Sequence, residues 1–292
     1  MTGPPRQYAL LPLDYAIQEA ISFLRQHEPP EGYFVGFSGG KDSIVTKHLC
    51  QMAGVAFQAY YSCTRIDPPE MYPFLRENHP DVIWLYPKET FWTAIKRKSP
   101  PLPTQRWCCD VLKKDPSRDI PLKVRVMGMR AEESFRRRQR PRVDFFKEYK
   151  QTVIKPIFGW TEWMVWDFIE QYHLPYPSLY DEGFDRIGCV VCPFLFYSNQ
   201  ARVNRNKARW PGLYKVFEKV VREWFEIRMA NGIRENQRHF TFESYLKAYY
   251  EGFSHDYKLP SVIAEHEKRM LENEEEDLRE EREMVEDEGI SA

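Results

Sequence analysis

The apolar positions of this chain change their period along its length, and the changes outline its elements. Residues 13–27, LDYAIQEAISFLRQH, carry apolar groups at helical spacing and stop at Glu28-Pro29-Pro30, which predicts a helix leading into a first strand. That strand is Tyr33 to Phe37. It ends abruptly at Ser38-Gly39-Gly40-Lys41-Asp42-Ser43, and a segment of helical character, Ile44 to Ala53, follows. VAFQAYYSC (55–63), DVIWLY (81–86) and VRVMGM (124–129) read as further strands. Strands that alternate with helices predict an α/β fold with a parallel sheet sandwiched by helices, its ligands bound at the carboxyl ends of the strands. Residues 205–264 are helix-rich, with Trp210, Phe217, Trp224 and Phe225 spaced as an amphipathic face.

The corner at 38–43 is where chemistry first enters. The leading N–H groups of a helix lack internal partners and carry partial positive charge, so a strand–loop–helix corner suits an anion. Gly39 and Gly40 let the backbone approach closely, Ser38 and Ser43 offer hydroxyls, and Lys41 offers a point charge. This is not a Walker A loop: Val35 stands at its first glycine position and Asp42 follows the lysine. The six residues resemble the SGGKDS pyrophosphate loop of the N-type ATP pyrophosphatases, of adenine nucleotide alpha hydrolase-like (PP-loop) fold. That resemblance implies ATP and Mg²⁺ as ligands, attack on the α-phosphorus, and pyrophosphate as a product.

Later motifs fall just after strand ends. Thr64-Arg65-Ile66-Asp67-Pro68-Pro69-Glu70-Met71-Tyr72 resembles a degenerate form of a segment that follows the second strand in phosphoadenylylsulfate (PAPS) reductases, with Arg65 where that family has glycine. The same residues also read as a proline-led helix start. Gly128-Met129-Arg130-Ala131-Glu132-Glu133-Ser134-Phe135-Arg136 resembles the G-x-R-x-x-E-S-x-x-R element of the same family. Arg130 suits a phosphate clamp, because its planar fork can meet two oxygens at once. The resemblance thus implies nucleotide binding by Ser38, Gly39, Gly40, Lys41, Asp42, Ser43, Thr64, Arg130 and Arg136, with Lys41, Asp42 and Arg130 nearest the chemistry. The basic run continues through Arg137, Arg138, Arg140 and Arg142, and reads either as a solvated face or as a surface for a phosphate backbone. Lys155-Pro156-Ile157, the helical 160–172 and Leu179-Tyr180-Asp181 extend the likeness, so that it covers roughly residues 33–195.

With 292 residues, 42% of them hydrophobic, the chain can bury a sizeable core. No apolar run approaches the roughly 20 residues of a membrane span, and the first residues lack the design of a signal peptide, which predicts a cytoplasmic protein without a membrane partner. The net charge of −1 conceals an asymmetry: residues 265–288 carry −9, leaving +8 on the remainder, a balance compatible with a nucleic-acid partner. The expected organisation is a nucleotide domain over 1–200, a helical extension over 201–264 and an acidic helix or tail over 265–292.

Six cysteines are few for a disulfide scaffold of this length. Cys50 and Cys63 read as packing residues. Cys108-Cys109 and, about eighty residues on, Cys189-Val190-Val191-Cys192-Pro193 leave three readings open: an iron–sulfur site, zinc, or buried thiols. Adjacent cysteines are awkward for a structural zinc site, and the order C-C…C-x-x-C resembles the [4Fe–4S] pattern of adenylylsulfate (APS) reductases. Those reductases attack their substrate with a cysteine near the C-terminus, and none follows Cys192. The combination is most similar to the ATP-pyrophosphatase component of DNA phosphorothioation systems. That likeness implies adenylylation of a nucleic-acid backbone, DNA in those systems, with sulfur from a cysteine desulfurase or other donor, and further modification subunits as partners. A sulfonucleotide reductase borrowing a partner's thiol, a tRNA-thiolating enzyme and a non-catalytic nucleotide-sensing module are the alternatives.

Overall fold

A six-stranded sheet is built from the apolar runs, in the order β3-β2-β1-β4-β6-β5. The computed structural model describes residues 12–230 and 241–251. The expected acidic segment, 265–292, lies outside them. Strands β1 (Tyr33–Gly36), β2 (Phe57–Ser62), β3 (Ile83–Leu85), β4 (Val124–Met127) and β6 (Gln151–Ile154) run parallel, and β5 (Val143–Phe146) pairs antiparallel with β6 at the edge. The four strands read from the sequence are present. The hairpin β5–β6 escaped that reading, because Val143-Asp144-Phe145-Phe146 follows directly on the arginine run and is too short to show a period.

Two compact units divide the chain: Met1–Phe91 with Cys109–Val190, and Trp92–Cys108 with Val191–Ala292. In the first, α1 (Leu13–Gln26), α2 (Lys41–Ala53) and α7 (Glu162–Gln171) join one core with Tyr33, Val35 and Phe37 of the central strand, Val126 and Ile154. Cys50 and Cys63 belong to this core, as the sequence predicts, and burial pushes the Cys50 thiol up to about 12. Tyr33 donates its hydroxyl to the Leu24 carbonyl at 2.7 Å, tying β1 to α1. On the other face of the sheet Arg125, Phe34 and Tyr60 stack. The Arg125 guanidinium lies 4.2 Å from the Phe34 ring, which stacks on Tyr60 at 4.5 Å. Burial pushes Arg125 down to about 10, and Ser117 receives two of its N–H groups.

The second unit contains α8 (Pro193–Ser198), α9 (Gln200–Arg209), α10 (Pro211–Ala230) and α11 (Phe242–Glu251). Phe196 is its hub, with ring centroids 5.4 Å from Tyr249 and 5.9 Å from Phe217. Trp210, Phe217, Trp224 and Phe225 are buried, which bears out the amphipathic face. Removing a fully buried aromatic leaves a cavity, so Phe196→Ala is expected to cost about 3–5 kcal/mol in denaturant unfolding.

A buried histidine adds a pH signature. His79, just past α3 (Met71–Asn78), packs against Phe37 and Phe74 and lies 3.5 Å from the Lys47 ammonium, which pairs with Asp81 at 2.7 Å. Burial first, then Lys47, pushes its pKa down to about 4, with Asp81 opposing. Below the unfolded value of about 6.5 the unfolded chain binds the proton that the folded chain refuses. Stability is therefore expected to fall as pH drops from about 6.5 towards 4. Unfolding titrations of His79→Phe should lose that part of the slope; an unchanged slope would place the titration elsewhere.

Candidate functional site

Gly40 starts α2 in an extended conformation, φ −81° and ψ 159°, and has no side chain of its own with which to cap the first turn. The helix begins at Lys41, so Lys41, Asp42 and Ser43 are its first residues. Gly39 sits at φ +74°, a region that glycine enters without strain, and a Cβ there would lie 2.7 Å from Met71 and 2.9 Å from Leu75. The two serines hold the loop together. Ser43 Oγ donates to the Gly40 carbonyl at 2.8 Å and lies 3.1 Å from Ser38 Oγ, which accepts from the Gly40 amide at 3.3 Å. Their hydroxyls shape the corner from within.

Arg130 arrives at this corner from the end of β4. Gly128 makes the approach possible, since a Cβ there would stand 2.6 Å from the Asp42 carbonyl oxygen. The buried guanidinium donates through Nε to Asp42 Oδ1 and through a terminal nitrogen to Glu132 Oε2, each at 2.5 Å. Burial works against its charge, but Asp42, Glu132 and Glu133 outweigh that and hold it above its ordinary pKa. Glu132 Oε2 also accepts the Glu162 amide at the start of α7, at 2.6 Å. Glu162 in turn pairs with the Lys41 ammonium at 2.8 Å. The result is a closed circuit: Lys41, Glu162, Glu132, Arg130, Asp42, and back along the chain to Lys41.

Lys41 is buried, and its ammonium also donates to the Asp185 carbonyl at 2.5 Å and stands 5.1 Å from the Tyr180 ring. The Tyr180 hydroxyl accepts the Lys41 amide at 3.0 Å, and burial raises its pKa. Tyr180, Glu132, Glu162 and Asp185 are site residues that sequence reasoning missed. Tyr180 and Glu132 stand inside motifs quoted above, but their partners lie 139 and 30 residues away.

The other predicted residues fall in different surroundings. Arg136 is exposed on α6 (Phe135–Arg138), whereas Arg137 turns inward and ion-pairs with Glu133. Arg142 pairs with Glu19 of α1, donates to Pro156 O at 2.8 Å and packs on Phe23, so it braces the fold. Thr64 is buried after β2, donating to Asp67 Oδ2 at 2.8 Å, with its Oγ1 4.0 Å from Cys189 Sγ. Asp67 also receives the Tyr61 hydroxyl at 2.7 Å.

None of the six cysteines is in a disulfide. In the first unit Cys189 bonds the Lys113 side chain and, against burial, holds that ammonium above its ordinary pKa, with Asp67 and Cys109 adding to the effect. In the second unit Cys108 is buried and Cys192 precedes Pro193, the first residue of α8. Among the described residues no three His, Cys, Asp or Glu side chains form a group that could hold a metal ion. The donor chemistry of the four thiols suits iron or zinc. For Mg²⁺ the demand is smaller, because that ion is commonly held by one or two carboxylates together with substrate phosphates. Asp42, with one oxygen on Arg130, meets it.

A mostly parallel α/β sheet with a glycine-led helix start at the carboxyl end of its central strand is a geometry that suits an anion. The family model for the phosphoadenosine phosphosulfate reductase domain matches residues 32–195, and the chain belongs to that family. An uncharacterized protein of Methanocaldococcus jannaschii is 30% identical over 235 residues, covering 73% of this chain and 47% of that protein. The adenosine 5'-phosphosulfate reductase of Geobacillus kaustophilus is 29% identical over 127 residues, 42% of this chain and 52% of the relative. This chain spans about half the length of these relatives. Among solved structures, the phosphoadenylyl-sulfate reductase of Candida auris in its phosphate complex aligns with a TM-score of 0.48 at 17% identity, covering 61% of this chain and 93% of that one. The U34-tRNA thiolase of Methanococcus maripaludis with its [4Fe–4S] cluster aligns at 0.41 and 15% identity, covering 78% and 84%.

The approach of β4 to α2 can be tested directly. Gly128→Ala forces backbone apart and is expected to cost about 1–3 kcal/mol in denaturant unfolding. Arg130→Met strands Asp42 and Glu132 without their cation and, with both carboxylates open to water in part, should cost about 1–3 kcal/mol. Wild-type stability in both variants would show that the circuit is not needed for the fold.

Proposed function

We propose that this protein is an ATP pyrophosphatase that adenylylates a nucleic-acid backbone, DNA being the leading candidate, for sulfur insertion. The observation that carries the reading is the meeting of the SGGKDS corner with Arg130 through Asp42. In the proposed step an oxygen of the backbone phosphate bonds to the α-phosphorus of ATP. The bond from that phosphorus to the bridging oxygen breaks, and its electron pair leaves with pyrophosphate. The terminal sulfur of a persulfide on a cysteine desulfurase or other donor then bonds to the backbone phosphorus as the bond to the AMP oxygen breaks and AMP leaves, and a thiol reductant cleaves the remaining S–S bond to free the donor. The positive end of α2, where the Asp42 amide is left without a side-chain acceptor, and the Lys41 charge favour the leaving pyrophosphate. Asp42 holds Arg130 in place, and its carboxylate would help to hold Mg²⁺, which would supply neutralisation of phosphate charge. Thr64 and Arg136 are assigned to nucleotide binding on the family motif.

Cys108, Cys109, Cys189 and Cys192 are proposed as ligands of a [4Fe–4S] cluster on the order of the thiols in the chain. Anaerobically purified protein should then carry iron and a broad visible absorbance, both lost in Cys189→Ser; zinc without iron would overturn this assignment. The relatives named as adenosine 5'-phosphosulfate reductases favour a second reading, sulfonucleotide reduction with a thiol supplied by a partner.

One assay separates the two. Cluster-replete protein with DNA, ATP·Mg²⁺ and a sulfur-donor partner is expected to release AMP and pyrophosphate in a DNA-dependent manner. Lys41→Ala should lower that rate by about 10²–10³-fold. No pyrophosphate with any nucleic acid, together with sulfite released from APS and a thiol, would decide for reduction.

A further inference from the structure

At the end of the sheet opposite the SGGKDS corner, a cavity of about 200 Å³ is lined by Arg118, Lys123, Tyr149 and Lys150. Topology fixes the separation. Lys123 immediately precedes β4 and Lys150 immediately precedes β6, and both strands run parallel to β1, whose far end leads into the loop. A four-residue strand spans about 13 Å, so the cavity and the corner lie at least that far apart.

We propose that this cavity is a second anion site that receives a phosphate of a nucleic-acid backbone. Its walls are cationic and aromatic: the Arg118 guanidinium lies 5.3 Å from the Tyr149 ring centroid and the Lys114 ammonium 5.8 Å. Arg118 pairs with Asp115 and Lys114 with Asp110, both exposed, which partly offsets those two charges. Among the described residues no ion pair engages Lys123 or Lys150, so these two carry the site's net charge. The Thr152 amide bonds the Lys123 carbonyl at 3.0 Å, and the Lys150 amide bonds the Lys147 carbonyl at 3.1 Å with Lys150 in the left-handed region at φ 49°. Both lysines therefore project from backbone fixed by the start of the sheet. The cavity is small for a whole drug-sized ligand but large enough for a phosphate and part of its sugar. Cations beside an aromatic platform match how proteins grip a strand without reading its sequence.

The nucleic-acid identity of the ligand rests on the proposed function; the anion site itself does not. A strand held here would leave the nucleotide corner open, so the cavity serves as an anchor and takes no part in the reaction.

The test measures binding of the full chain to a labelled DNA strand and to its duplex over a salt series. Lys123→Glu combined with Lys150→Gln is expected to weaken binding tenfold or more. It should also lower the slope of log affinity against log salt by about 2. Lys215→Glu, on the exposed side of α10, should change neither by a comparable amount. ATP binding and thermal melting should match wild type in the double variant, which separates loss of the anchor from loss of the fold. DNA affinity and salt slope that stay at wild-type values in that variant would overturn the site. Inorganic phosphate competing as well as the strand, per phosphate, would overturn the backbone assignment in favour of a small-anion pocket. DNA binding lost in the double variant while wild type releases no pyrophosphate would leave the anchor standing and remove the proposed activity.

Discussion

The ion pair between Asp42 and Arg130 is the contact on which the geometry of this corner depends. It joins the first turn of one helix to the strand end beside it across 88 residues of sequence. Burial opposes the guanidinium charge, and the surrounding carboxylates more than compensate for it. Glu132 extends the pair to α7, and Glu162 closes it back onto Lys41. Three elements that meet at the carboxyl ends of the strands are thereby held in one orientation by charges that would be costly to separate.

The same circuit changes what the loop residues do. Lys41 and Arg130, the two cations expected to meet phosphate, are both engaged by carboxylates, and the two serines spend their hydroxyls inside the loop. What the corner presents besides these is backbone: the helix start after Gly40, where Ser38 takes the Gly40 amide and the Tyr180 hydroxyl the Lys41 amide, which leaves the Asp42 amide. An arriving polyphosphate would therefore meet fixed amide dipoles first and compete with Glu162 and Glu132 for the cations afterwards. Such an arrangement favours a ligand of high negative charge, since only that can replace the carboxylates already present.

The thiols follow a different logic. Cys189 is coupled to Lys113, and close to it Thr64 and Tyr61 both bond Asp67. This polar group lies after β2 and before the end of the family region, so the motif containing Thr64 is tied to the cysteines. Cys50 is kept from this chemistry by burial in the core, whereas Cys63, also buried, directly precedes Thr64 and lies within electrostatic reach of Asp67. Meanwhile Arg142, part of a basic run that reads as one surface, is spent on Glu19, Phe23 and Pro156, which leaves only some of the run facing solvent.

The sequence alone determined the parallel α/β class, four of the strands, the helix after the SGGKDS corner and the family, because each is written in local pattern: apolar period, glycine position and contiguous motif; it placed the start of that helix at Ile44, one turn later than Lys41. Tertiary structure decided the rest. The edge hairpin β5–β6 has strands too short to announce themselves, and nothing in 92–108 signals that it groups with residues 191–292. Tyr180, Glu162 and Asp185 became partners of Lys41 only through the fold, and Lys123, Tyr149 and Lys150 came together only because β4 and β6 start side by side. The physical reason is common to these cases. Periodicity and motif spacing report which way a side chain points along its own element, while charge pairing and cavity walls depend on which elements the sheet order makes neighbours.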